Sequence, residues 1–158
     1  MSDIEWSLRQ AVDAFIDEGF NDGDLVSHDW LRWALSINDQ VVKDNEFVLL
    51  ERMEAIKGSL LKEHRIALQN VRGKGYRVVP PSEQARYAAE EASRHIEKGM
   101  RKADQLLKHT RVELLDSAER RQHTDAEVRM ASLNGMLDKG RRDVFQAFLP
   151  TSRPGQAR

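Results

Sequence analysis

The chain has 158 residues, of which 32% are charged and 40% apolar, with a formal net charge of −1 and no cysteine. This length predicts one domain, or a small domain with a helical appendage, that buries a core without disulfides or a structural metal. The lack of cysteine excludes disulfides, thiolate zinc sites and cysteine nucleophiles. No apolar run approaches the roughly 20 residues that span a bilayer, and the acidic start is unlike a signal peptide. We therefore expect a cytoplasmic protein without a membrane partner.

Charge is distributed unevenly along the chain. Residues 1–58 contain 13 Asp and Glu against 5 Lys and Arg, a balance of −8, and residues 59–158 contain 13 against 20, a balance of +7. Such asymmetry indicates two surfaces with different partners, or two halves that attract each other. The alternative is chance clustering of charges on solvated faces.

Three helices are predicted in the first part of the chain. Apolar residues at 3- and 4-residue steps predict an amphipathic helix over 4–20, which Gly19 ends because glycine adopts a left-handed cap without penalty. Ser27 is the predicted N-cap of a short helix over 28–37. A third helix is predicted over 45–64. The spacing of Trp30 and Trp33 allows two core rings, or one core ring and one exposed ring.

A β-hairpin is predicted after the third helix. Residues 66–71 alternate apolar and polar side chains, as a half-buried strand does. The segment Arg72–Gly75 is the predicted turn, because its glycines supply the positive φ of tight hairpins. Residues 76–79 form the returning strand. Proline cannot donate to a strand ladder, so Pro80 and Pro81 end it.

The remaining chain is predicted to be helical, with a domain boundary after Pro81. Ser82 is the expected cap of a long helix that runs to about Arg120, followed by a break at 121–123. The sequence Thr124–Glu127 matches a capping box, which predicts a last helix over 125–148. The predicted organisation is therefore a domain over 1–81, a helical hairpin or dimerisation segment over 82–149, and a disordered tail over 150–158.

A weak heptad pattern runs along the long helix. Its apolar members are few, and small or polar residues alternate with them, so the pattern predicts a seam that needs a partner helix. We expect a homodimer, although the pattern leaves open whether the seam closes within one chain or between two. The predicted seam residues are Ile96, Met100, Ala103, Leu107 and Leu114.

The hairpin resembles a known DNA-binding element. The segment Asn70–Val78 is similar to the Val-Arg-Gly-x-Gly-Tyr wing of OmpR-type winged helix-turn-helix domains, and the likeness covers roughly residues 27–79. The resemblance implies a mainly α fold with one β-hairpin, a recognition helix in the major groove and a wing that contacts phosphates through Arg72, Lys74 and Arg77. The chain also resembles small phage and prophage proteins with the same segment before a basic helix, which implies a bacterial host cell.

The third helix departs from the pattern of the family. A recognition helix is expected to be basic, because phosphate neutralisation supplies most nonspecific affinity. The predicted helix over 45–64 carries four glutamates against three basic residues, so entry into a DNA groove would meet repulsion. The resemblance therefore supports the fold more than the mode of DNA reading.

The basic residues of the wing and of the long helix are the candidate nucleic-acid contacts. They form a stripe that tracks phosphates without reading sequence. The alternative is a solvated helix in which glutamates pair with these bases at i,i+3 and i,i+4. The candidates are Arg72, Lys74, Arg77, Arg86, Arg94, Lys98, Arg101, Lys102, Lys108 and Arg111.

No pattern supports catalysis. The five histidines have no metal-ligand spacing, Arg72–Gly75 lacks the spacing of a phosphate-binding P-loop, and no Gly-x-Ser-x-Gly elbow occurs. An aspartate cluster lacks the 12-residue pattern of a calcium loop, so an acidic solvated face is predicted instead. We expect no enzyme activity, cofactor, metal or small-molecule substrate. The cluster comprises Asp13, Asp17, Asp22, Asp24 and Asp29.

Two functional hypotheses follow from the sequence. The first is a noncatalytic nucleic-acid-binding regulator of phage or prophage origin, with low-specificity DNA binding. The second is a protein that inhibits or adapts a host protein, which would use the aspartate cluster and Trp33 as its contact surface and the C-terminal helices for apolar contact. The sequence identifies neither the nucleic acid nor the host target.

Overall fold

The structure is a computed structural model that describes residues 6–149. The predicted start of the first helix at Ile4 and the predicted disordered tail over 150–158 lie outside the described residues. The chain divides into two compact units, Met1–Gln84 and Ala85–Arg158, which we call the N-terminal unit and the C-terminal unit.

The fold is mainly helical with one small sheet, as the sequence predicts. A 3₁₀ turn at Val112–Leu114 separates the last two helices. The strands are β1 (Leu25–Ser27), β2 (Leu68–Val71) and β3 (Gly75–Val78). The helices are α1 (Leu8–Glu18), α2 (His28–Ala34), α3 (Asp39–Asp44), α4 (Val48–His64), α5 (Pro81–Lys108) and α6 (Ser117–Gln146).

Local hydrogen bonds set the limits of the first helices. Gly19 ends α1 with φ 74°, and the Ser27 side chain accepts from the Trp30 backbone N–H, so both predicted caps are confirmed. The short helix ends at Ala34 rather than at 37, because Ser36 has a left-handed φ of 53°. The Arg52 guanidinium donates to the carbonyls of Leu35 and Ser36, which stabilises the turn of the chain after α2.

Helix α3 was not predicted from the sequence. The Asn38 side chain caps it by accepting from the Val41 backbone N–H at 2.8 Å. Asn45 then closes α3, and its side-chain oxygen accepts from the Phe47 N–H. For this reason α4 begins at Val48 and not at residue 45 as predicted.

The predicted hairpin belongs to a three-stranded antiparallel sheet of order β1-β3-β2. In β2 and β3, Leu68 lies opposite Val78 and Val71 lies opposite Gly75. The additional strand β1 pairs with β3, so that Ser27 also lies opposite Gly75. With only three residues, β1 is too short to show the alternation of apolar and polar residues that predicts a strand.

The core of the N-terminal unit lies between its helices and the sheet. Phe15, Leu35, Ile56, Leu60 and Val26 are the largest fully buried side chains. Of the two tryptophans in α2, Trp30 is half-buried against this core and Trp33 is 68% exposed. The structure therefore has the predicted arrangement of one core ring and one exposed ring.

The predicted limits of the C-terminal helices are wrong. Helix α5 begins at Pro81, where the missing N–H of a first-turn proline costs nothing, and it ends at Lys108 rather than at Arg120. The predicted capping box at Thr124–Glu127 lies inside α6. The actual box is formed by Asp116, whose side chain accepts from the Glu119 N–H while the Glu119 side chain accepts from the Asp116 N–H.

Candidate nucleic-acid interface

The hairpin between β2 and β3 presents two exposed cations at its tip. Arg72 and Lys74 flank Gly73, whose φ of 74° is one that glycine adopts without strain. The Lys74 N–H donates to the Val71 carbonyl at 3.0 Å and closes the turn. Within the described chain neither side chain has an ion-pair partner. We call Arg72 and Lys74 the tip cations.

Arg77, the third cation that the resemblance places in the wing, is held by a carboxylate. Its two terminal nitrogens donate to the two oxygens of Glu83 at 2.7 and 2.9 Å, a bidentate pair near the start of α5. The hydrogen bond to Glu83 raises the pKa of Arg77 above its ordinary value. Arg77 therefore fastens β3 to the first turn of α5, and its donors already have an anion.

The basic residues of α5 fall into two groups. Arg86 pairs with Glu90 at 3.1 Å and Arg94 pairs with Glu91 at 2.8 Å, as the alternative of a solvated, self-paired helix predicts. The other group is exposed and has no ion pair among the described residues. We call this group the α5 cations, and it consists of Lys98, Arg101, Lys102 and Lys108.

The α5 cations are arranged along one side of the helix. At 3.6 residues per turn, Lys98, Arg101 and Lys108 fall within an arc of roughly 80° and extend over roughly 15 Å of helix axis. Lys102 lies roughly 40° beyond Lys98, outside this arc. Arg111 lies beyond the end of α5, where it is exposed and precedes the 3₁₀ turn. The arrangement suits contacts with successive phosphates, which carry no sequence information.

The aspartate cluster is spread over different local structures. Asp13 and Asp17 are exposed on α1, and Asp29 lies in the first turn of α2. The Asp24 carboxylate accepts from the Asn21 N–H at 2.8 Å and shapes the loop before β1. Asp22 is exposed in that loop. Residues 6–149 contain no group of three or more His, Cys, Asp and Glu side chains that could hold a metal.

An apolar surface on α4 was missed by the sequence analysis. Phe47, just before the helix, and Leu50 are 60% and 61% exposed, and Leu61 is 46% exposed. Helical spacing places all three at least roughly 120° around the helix from the buried Ile56. We call Phe47, Leu50 and Leu61 the α4 outer face. Its signal in the sequence was a helix with apolar residues on more than one side.

Comparison of the chain with protein-family models, curated proteins and solved structures gave no match. Across residues 6–149, no helix has both the length and the apolar character needed to cross a bilayer.

Proposed function

We propose that this chain is a noncatalytic nucleic-acid-binding protein that contacts phosphates through the tip cations and the α5 cations. The observation that carries the proposal is that these six side chains are exposed and form no ion pair with any of residues 6–149, whereas Arg77, Arg86 and Arg94 are paired with carboxylates. Exposed cations that form no ion pair with a carboxylate can bind phosphates, and their binding releases counterions.

The order of the elements supports a winged-helix reading of the N-terminal unit. Helices precede a hairpin whose turn has the Arg-Gly-Lys-Gly sequence, as the resemblance to OmpR-type domains implies. The α4 outer face argues against entry of that helix into a groove, since it carries Phe47, Leu50 and Leu61 in place of polar groups that read base edges. The proposed binding is therefore of low sequence specificity and depends on the phosphate backbone.

The proposal is tested with two pairs of charge-reversal variants and matched controls. Arg72→Glu with Lys74→Glu removes the tip cations, and Arg9→Glu with Lys43→Glu makes the same charge change at exposed residues of the same unit. Fluorescence anisotropy with a labelled DNA duplex measures affinity against salt concentration. We expect the tip variant to lose at least about tenfold in affinity and to flatten the salt dependence, because each lost phosphate contact reduces the slope by about one unit.

The same design distinguishes the contribution of the α5 cations to affinity from the effect of net charge. Lys98→Glu with Arg101→Glu changes two of them, and Lys139→Glu with Arg142→Glu makes the same change at exposed residues of α6. A loss of affinity confined to the α5 variant supports the proposed surface. Equal losses in the variant and its control would show that only the overall charge matters, which contradicts the proposal.

A second candidate function is an adaptor or inhibitor of another protein, and the α4 outer face favours it. Phe47 and Leu50 stand beside the carboxylates of Glu46 and Glu51, which suits a partner with an apolar, basic surface. Affinity capture from a nuclease-treated bacterial lysate tests it, with Leu50→Arg as the variant and Arg9→Glu as the control. A protein retained by the wild type and the control but lost by Leu50→Arg supports this function, and equal capture by all three baits argues against it.

A further inference from the structure

The two helices of the C-terminal unit contain no buried residue. Neither α5 nor α6 has a buried side chain, whereas every buried apolar residue of the described chain lies between Ala11 and Val79. A helix in a protein derives most of its stability from packing an apolar face. The apolar faces of α5 and α6 therefore remain partly uncovered by residues 6–149.

Helices α5 and α6 form an antiparallel hairpin. Glu97 of α5 forms an ion pair with Arg141 of α6, and nearer the turn His123 Nε2 lies 3.0 Å from the Leu107 carbonyl oxygen. A groove of about 550 Å³ runs between the helices on one side. Six of its lining residues are charged: Glu97, Arg101, Asp104, Lys108, Glu127 and Asp138. This side of the hairpin is polar.

From Leu133 onward in α6, the other side of the hairpin is uncharged and exposed, whereas Arg129, one turn earlier in the same row, forms an ion pair with Asp125. Helical spacing places a second row of residues of each helix on the side away from the groove. Four of the large side chains in these rows, Ile96, Leu133, Met136 and Val144, are 38%, 43%, 71% and 49% exposed. We call the two rows together the uncharged face, and they consist of Ala85, Ala88, Ala92, Ile96, Gly99 and Leu106 on α5, with Leu133, Met136, Gly140, Val144 and Ala147 along α6 and its cap.

The uncharged part of α5 is wider than one neighbouring helix covers. Between residues 85 and 110 it occupies roughly 140° of the helix circumference, and only the part that includes Met100, Ala103 and Leu107 is half-buried. Helices in a bundle have such wide apolar faces because each packs against more than one neighbour. Helix α5 therefore has room for a second neighbour beside α6.

The distribution of side-chain size on the uncharged face fits a second copy of the same chain. The α5 row consists largely of alanine and glycine, and the α6 row carries Leu133, Met136 and Val144. A Cβ added at Gly99 or Gly140 would meet no atom within 4 Å, so each glycine leaves open space at the surface. Under a two-fold axis, the large side chains of each copy's α6 would pack against the small residues of the other copy's α5.

We infer that the uncharged face binds the uncharged face of a second copy, so that two hairpins form a four-helix bundle. The absence of charge on the face means that like copies meet no repulsion there. Of the predicted seam residues, Ile96 lies on this face, Met100 and Leu107 line the groove toward α6 of their own chain, and Leu114 lies in the 3₁₀ turn. The inference does not depend on the proposed binding of nucleic acid.

Sedimentation velocity of the full chain over a micromolar concentration series tests this inference. The wild type is expected to sediment with twice the chain mass of 18.2 kDa. Met136→Glu is expected to raise the dimer dissociation constant roughly 100-fold, since two carboxylates per dimer would be buried without partners. Val128→Glu is the matched control, because Val128 is 60% exposed and lies roughly 80° around α6 from Met136, outside the uncharged face. It should remain dimeric.

A glycine pair provides a test that adds no charge. A Cβ at Gly140 or at Gly135 meets no atom within 4 Å, but only Gly140 lies on the uncharged face. Gly140→Leu is expected to weaken the dimer at least tenfold by filling the space for the second copy, whereas Gly135→Leu leaves it unchanged. Far-ultraviolet circular dichroism checks that both keep their helices. A monomeric wild type, or equal behaviour of Met136→Glu and Val128→Glu, would overturn the inference.

Discussion

Gly75 lies directly against the backbone carbonyl of Val26, where β1 and β3 meet. A Cβ at residue 75 would collide with the Val26 oxygen, and Gly75 has φ 138°, a conformation that side-chain-bearing residues rarely adopt. The second glycine of the hairpin therefore does more than shape the turn, because it lets β1 approach β3 closely. The first glycine, Gly73, has a positive φ but open space around it.

This difference predicts that replacing the two glycines by alanine lowers the free energy of unfolding by unequal amounts. Gly75→Ala should lower the free energy of unfolding by about 3 kcal/mol, since it combines backbone strain with displacement of β1. Gly73→Ala should cost only about 1 kcal/mol, the penalty of a left-handed alanine. Urea unfolding of both variants measures the difference. Equal destabilisation would contradict the close approach of Val26.

The Arg77–Glu83 pair predicts that removing a carboxylate strengthens nucleic-acid binding. Glu83→Gln breaks the bidentate pair and should cost little stability, because the two side chains are 30% and 50% exposed and such pairs stabilise a fold only weakly. The released Arg77 becomes available to phosphate, so the salt slope should steepen by about one unit. Glu63→Gln, an equal charge change on α4, is the control for the anisotropy titration. A gain in affinity of the same size in both variants would assign the effect to net charge.

The capping box at the start of α6 predicts a stability contrast between two polar residues. Asp116→Ala removes the acceptor for the backbone N–H groups of Ala118 and Glu119, at a cost of about 1 kcal/mol. Thr124→Ala replaces an exposed residue inside α6 and should change stability by less than about 0.5 kcal/mol. Thermal unfolding followed at 222 nm compares the two variants. A larger loss at Thr124 would place the helix start where the sequence alone predicted it.

The two sides of α2 predict a further contrast. Leu35 at the end of this helix is completely buried, and Leu35→Ala should cost about 3 kcal/mol through lost transfer energy and the cavity that remains. Trp33 contacts Trp30 edge-to-face but is mostly exposed, so Trp33→Ala should cost about 1 kcal/mol. Guanidinium unfolding measures both. Near-equal losses would indicate that Trp33 is packed more tightly than its exposure shows.

Local signals in the sequence were sufficient for the N-terminal helices and the hairpin. Gly19, Ser27 and Gly73 act through their own backbone conformation or through a hydrogen bond three residues away, so their roles can be read directly from the sequence. Strand β1 could not be predicted, because its pairing depends on Gly75 about fifty residues later. Helix α3 could not be predicted either, since six residues are too few to show the helical repeat of apolar residues.

Competing local signals misplaced the helix break in the C-terminal unit. Both Asp116–Glu119 and Thr124–Glu127 have the capping-box pattern, and only the structure shows that the first pair forms the reciprocal hydrogen bonds. The sequence was sufficient to predict which basic residues are candidates for nucleic-acid contact. It was not sufficient to predict which carboxylates pair with them. Which cations stay unpaired depends on side-chain geometry, as the bidentate bond of Arg77 to Glu83 shows.

The most direct test of the central claim is the salt dependence of nucleic-acid binding by the wild-type protein. Fluorescence anisotropy with mixed-sequence duplex and single-stranded DNA is compared between about 50 and about 200 mM salt. Phosphate contacts by the tip and α5 cations predict micromolar or tighter binding at the lower concentration, and a loss of roughly 100-fold or more at the higher one. Absence of binding to either DNA at the lower salt concentration would contradict the proposed function.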